Sequence, residues 1–141
     1  MKTKFLALVL SVFALSLAAC SNEKDKAVEA LQAEIVNINA ELPMEIDQIT
    51  VWDSCSVTND NYIYHYTLID TEEGEIYKLM QENIAEQKES ITQALKESPE
   101  FVQDALPLLE KAGVSLVYEY TSSTNGKKID IIFTPEEVSQ F

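Results

Sequence analysis

Asn125-Gly126 lies between two runs that alternate apolar and polar residues, and this pairing limits the fold more than any other feature of the chain. Val114, Leu116, Tyr118 and Tyr120 alternate with Ser115, Val117, Glu119 and Thr121, and Ile129, Ile131 and Phe133 line the return. A period of two marks a strand with one buried face, and Asn-Gly is the strongest short turn signal. The spacing therefore predicts a hairpin. A second one is expected from Ile49–Val57 and Tyr62–Ile69 around Thr58-Asn59-Asp60-Asn61, whose residues tolerate left-handed geometry. With Asn59 and Asp60 as the loop, Cys55 faces Tyr64 and Ser54 faces His65. One face then carries Asp53, Cys55, Tyr62, Tyr64 and Tyr66, and the other Trp52, Ser54, Ser56, Ile63 and His65. The first is more apolar and should meet the core. A one-residue change of register reverses every assignment.

Helical periodicity fills the rest. Val28, Leu31, Ile35, Ile38 and Leu42 recur three or four residues apart, until Pro43 disfavours helical geometry at Leu42. Asp70 and Glu73 fit a capping box for a long helix from about Glu73 to Lys96. Ser98-Pro99 opens another helix, Pro107 threatens to kink it and Gly113 ends it. Thr134-Pro135-Glu136-Glu137 reads as the start of a short terminal helix. The order is α-β-β-α-α-β-β-α. The expected class is α+β: one antiparallel sheet of about four strands, made of two hairpins, with amphipathic helices packed on one face.

The first residues carry an address. Lys2 and Lys4 precede an apolar run from Phe5 to Ala14 that only Ser11 interrupts, and Leu17-Ala18-Ala19-Cys20 follows. This is the pattern of a secretory signal peptide. Its end resembles the lipobox of bacterial lipoproteins. The resemblance implies cleavage after residue 19, acylation of the Cys20 thiol, and an anchor of two or three acyl chains, enough for stable membrane attachment. Ser21 rather than Asp after the cysteine implies the outer membrane, facing the periplasm, in a Gram-negative host. The expected organisation is a signal peptide over 1–19, a lipidated tether over 20–26 and a single domain over 27–141.

Removing Lys2 and Lys4 from the ten basic residues, all of them lysine, leaves eight against 24 acidic ones, a net charge of −16 for the mature chain. Such a surface repels nucleic acid and anionic lipid and favours a basic partner or a cation. It also keeps an exported protein soluble. With Cys20 acylated, Cys55 has no cysteine to pair with inside the chain; it is either buried or open to pairing between chains.

Three segments look like a group of small uncharacterised exported bacterial proteins: Leu42-Pro43-Met44-Glu45-Ile46-Asp47-Gln48-Ile49-Thr50, Tyr64-His65-Tyr66-Thr67-Leu68 and Gly113-Val114-Ser115-Leu116-Val117-Tyr118-Glu119-Tyr120. The similarity spans most of residues 42–134. It implies an α+β fold and carries over no catalytic residue. The chain departs from many of those proteins in lacking a cysteine pair near the second helix and the C-terminus.

Chemistry-bearing motifs are scarce. The sequence contains no nucleophile elbow, zinc-protease helix or phosphate loop. One histidine and one free cysteine cannot make a zinc site without carboxylates or a second chain. Asp70-Thr71-Glu72-Glu73-Gly74-Glu75 misplaces the glycine for an EF-hand. A Cys55–His65 nucleophile pair is the sharpest enzymatic idea, and the register puts the two on opposite faces. No catalytic residue, metal or cofactor is therefore expected. The reading is a non-enzymatic, lipid-anchored envelope protein that binds another protein, as an immunity-type protein or an accessory subunit of an envelope assembly. Trp52, Ser54 and His65 mark the candidate contact face. The alternative is a lipoprotein that binds a small ligand or cation in the concavity between sheet and helices.

Overall fold

The computed structural model describes residues 23–141. The expected signal peptide, Cys20 and the first residues of the expected tether lie outside the described residues. Helix α1 covers residues 23–40, so the tether positions 23–26 are already helical, with their side chains exposed. Strand β1 (Met44–Glu45) and strands β2 (Thr50–Val57) and β3 (Asn61–Leu68) follow. Helices α2 (Glu75–Glu82) and α3 (Ile84–Lys96) come next, then a π-helical turn (Phe101–Ala105) running into α4 (Leu106–Ala112). Strands β4 (Ser115–Ser122) and β5 (Lys128–Phe133) and the short helix α5 (Pro135–Val138) complete the chain.

The α+β class and the order of elements are as expected, with two differences in the sheet. It has five strands in the order β1-β2-β3-β4-β5, because the two residues of β1 pair with Val51 and Trp52. A two-residue strand is too short to leave a periodic signal. The sheet is also mixed rather than antiparallel: β3 and β4 run parallel at its centre. The chain between them is a helical crossover, and a strand that returns beside its predecessor through a crossover runs parallel to it.

The hairpin turns match their predicted positions by a different geometry. Val57 pairs with Tyr62, as the Asn59-Asp60 loop requires, yet among the described residues only glycines have positive φ. The Thr58 hydroxyl holds this loop instead, accepting from the N–H groups of Asp60 and Asn61. In the second hairpin Gly126 alone is left-handed, at φ 68°.

Helix starts show the same economy. Asp70 caps α2 from outside the helix, accepting from the N–H groups of Ile76 at 2.8 Å and Tyr77 at 3.3 Å. Glu73 takes no part, and the long helix expected from there breaks at Asn83. Pro107 has no N–H for Gln103, and the chain widens into the π-turn just before it. Thr134 caps α5 by accepting from the Glu137 N–H.

Helices α1, α4 and α5 bury apolar residues in the core on one side of the sheet, and α2 and α3 pack against it with side chains that stay partly exposed. Val28 and Leu31 of α1, Leu106 and Leu109 of α4, and Val138 of α5 join Leu68, Leu116, Ile131 and Phe133 in a single core. The tyrosines lie beneath the helices, as cross-strand packing predicts. Tyr64 stacks on Tyr118 with ring centroids 4.9 Å apart, and Tyr66 on Tyr120 at 5.0 Å.

Candidate functional site

The opposite side of the sheet carries no helix among the described residues, and its side chains organise one another across four strands. Register places Ile63, Val117 and Ile132 in one row and Ser54, His65, Glu119 and Asp130 in the next. His65 Nε2 lies 2.7 Å from Ser56 Oγ, and His65 Nδ1 lies 2.9 Å from Glu119 Oε1. Lys128 Nζ reaches the same carboxylate oxygen at 3.3 Å. Beside this chain, the Thr67 hydroxyl donates to Asp53 at 2.6 Å.

These bonds define the protonation pattern. An ionised carboxylate only accepts, so His65 Nδ1 carries a proton and, in the neutral ring, Nε2 accepts from the Ser56 hydroxyl. Partial burial pushes the Glu119 carboxyl up, but hydrogen bonds from His65 and Lys128 outweigh it and hold the group below the usual carboxylate range. The order Ser–His–carboxylate is that of a nucleophilic triad. A triad also needs donors aimed at an oxyanion. Here the three residues stand on a continuous sheet whose strands β3 and β4 are paired on both sides. The Cys55 N–H, next to Ser56, is bound by Asn39 at 2.7 Å. The arrangement is a chain of hydrogen bonds from Ser56 through His65 and Glu119 to Lys128.

Glu119 yields a pH prediction with a definite sign. Its folded pKa lies below the unfolded value, so its stabilisation is complete above the ordinary carboxylate pKa and is lost as pH falls through the folded one. Thermal melts should show a stability difference between the parent chain and Glu119→Gln at neutral pH that closes below about pH 4. A constant difference would mean that the ion pair adds nothing. Using the difference removes the opposing effect of acid, which relieves repulsion within this acidic chain.

Of the three predicted contact residues, the structure brings Ser54 and His65 together and removes Trp52. A β-bulge between Trp52 and Ser54 shifts the register, so Trp52 pairs with Tyr66 instead of facing outward. Its ring lies 5.7 Å from Tyr64 and 6.3 Å from Tyr66 on the core side. Cys55 is buried, 4% exposed, and burial pushes its thiol up to about 11. The nearby Trp52 indole N–H, which has no hydrogen-bond partner of good geometry, offsets only part of this. The thiol sits on the face away from His65, as the register predicts, and is a packing group. Glu119 and Ser56 are the residues that sequence reasoning missed as His65 partners. The signal for Glu119 was a lone carboxylate between two strand tyrosines.

A concavity opens on the helical side. Two adjoining hollows of 380 and 290 Å³ lie between the β1–β2 loop and α2–α3, and both are lined by Asp47, Thr50, Met80 and Gln87. Tyr66, Tyr118 and Tyr120 line the second hollow. Among the described residues no group of three or more His, Cys, Asp or Glu is placed to hold a metal, and no helix is long and apolar enough to cross a membrane.

Residues 20–130 match DUF8479, a domain of unknown function. The chain belongs to that family. The fold of this DUF8479 protein is similar to the crystal structure of PA3611, a "putative secreted protein" from Pseudomonas aeruginosa, with a TM-score of 0.66 at 13% identity. The similarity covers 82% of this chain and 96% of the Pseudomonas chain. At that identity it shows a shared fold. No curated protein is significantly similar in sequence.

Proposed function

We propose that this DUF8479 protein is a lipid-anchored component of the bacterial envelope that acts without turnover, by binding another protein through the open face of its sheet. The observation that carries the reading is the open face itself. Its apolar row, in which Ile132 is exposed, Ile63 half-buried and Val117 buried, adjoins polar side chains already fixed by mutual hydrogen bonds. Such a surface loses little side-chain entropy on docking. The acidity of the mature chain steers a basic partner toward it. The fold resemblance to a putative secreted protein fits export, and the family match begins at Cys20, the residue that the lipobox would leave first. Ser21 favours the outer membrane, facing the periplasm. An immunity-type protein and an accessory subunit of an envelope assembly are the concrete forms.

Affinity capture of the tagged, lipidated protein from mild detergent tests this. One stoichiometric partner is expected. Binding should be lost in Ile132→Asp, a change at a 46% exposed position that leaves the core alone. It should weaken when several acidic residues are reversed. A partner retained by Ile132→Asp would put the contact elsewhere, and Cys20→Ser remaining in the membrane fraction would remove acylation as the anchor. A second reading, ligand binding, is favoured by the cleft between the β1–β2 loop and α2–α3.

A further inference from the structure

We infer that this cleft binds an amphiphile with an alkyl tail and a cationic head. The inference rests on the ligand-binding reading and names its ligand class. The two hollows share their lining at Asp47, Thr50, Met80 and Gln87, so they form one continuous cleft. Its 380 and 290 Å³ compartments fall in the range of small-molecule sites. The wall is apolar where α2 and α3 face the sheet, with Ile76, Met80 and Ile91.

The mouth is apolar too, and it should not be if water were its only neighbour. Among the described residues the exposed large apolar side chains are Val36, Met44, Ile46, Ile49, Ile69, Leu79, Val102 and Ile132. Ile46, Ile49 and Leu79 line the cleft directly. Three of the eight exposed apolar side chains thus belong to one opening. Concentration of this kind marks a binding site; scattered single exposures do not.

Charge selects the head group. Asp47 and Glu86 are the ionisable carboxylates among the lining residues, and among the described residues no lysine lines either hollow. An anionic head meets repulsion there and a cationic head meets attraction. Burial, and after it the charge of Asp47, push the Tyr120 hydroxyl up to about 12. The tyrosines on the floor therefore stay neutral and add no charge of their own.

The test uses the full chain carrying Cys20→Ser, so that acyl chains on Cys20 cannot compete. Isothermal titration with decyltrimethylammonium and decanoate, each below its micellar concentration, and with decanol below its solubility limit, should give saturable one-to-one binding of the cation at least tenfold tighter than of the carboxylate. Shortening the tail by one methylene should weaken binding roughly three- to fourfold. Leu79→Lys, at a 60% exposed position, should abolish it without unfolding the chain. Asp47→Asn with Glu86→Gln should erase the preference for the cation and leave decanol unchanged. Equal binding of the three probes would overturn the head-group assignment while ligand binding stands. Failure of all three would overturn both, and would leave the apolar mouth as a seat for a partner protein.

Discussion

Tyr118→Ala should lower the unfolding free energy by about 3–5 kcal/mol, the cost of truncating a buried aromatic ring. Tyr118 is 8% exposed and lies in the central strand pair. Its ring stacks on Tyr64 at 4.9 Å and on Tyr66 at 6.1 Å, and meets the edge of Phe133 at 6.1 Å. Removing it takes away a ring that joins β3, β4 and β5. Marginal domains hold only about 5–15 kcal/mol in all, so the variant should be partly unfolded at physiological temperature. Tyr118→Phe keeps the stack and should cost under about 1 kcal/mol, because the interaction is carried by the ring. Urea unfolding checks both: the midpoint should drop for alanine with an unchanged slope. A loss below about 1.5 kcal/mol for alanine would mean that the neighbouring tyrosines close the gap, and that the stacked array is not one rigid unit.

What was legible in the sequence follows from the range of each interaction. The pairings of Ser54 with His65 and of Cys55 with Tyr64 came from counting around one short loop, and both are present. The helix caps at Thr134 and Gly113 were equally local. The bulge beside Asp53 was not, because Val51 to Val57 alternate without a visible insertion. What favours it lies outside the strand: the Thr67 hydroxyl holds Asp53, and the tyrosine stack accepts the Trp52 ring. The misfit of the largest apolar residue on the more polar face was the one available hint. His65 and Glu119 come together only through the parallel pairing of β3 with β4, 54 positions apart, which no local pattern encodes. The cleft is still less local, since its walls come from a loop, two helices and three strands.

Asn39→Ala should destabilise the protein by about 2 kcal/mol and release the edge of β2 before the rest of the sheet. β1 covers β2 only at Val51 and Trp52, so the outer backbone groups at Cys55 have no strand to pair with. Asn39, near the end of α1, supplies the missing peptide group: its Nδ2 donates to the Cys55 carbonyl at 2.9 Å, and its Oδ1 accepts from the Cys55 N–H at 2.7 Å. Alanine strips both bonds at once. Each buried backbone group left unpaired costs about 1–3 kcal/mol, and partial access to water at this edge keeps the total near the lower end. Asn39→Asp should be no better. Its carboxylate can still accept from the N–H, but its second oxygen faces the Cys55 carbonyl, and a negative charge near the C-terminal end of α1 opposes the helix dipole. Hydrogen exchange makes the prediction specific, because the Cys55 amide should lose protection by a larger factor than amides of β3 or β4. Equal loss across the sheet would show that Asn39 stabilises the fold only globally. Unchanged protection and stability would mean that α1 docks on the sheet through its apolar stripe, Ala27, Val28, Leu31, Ile35 and Ile38, alone.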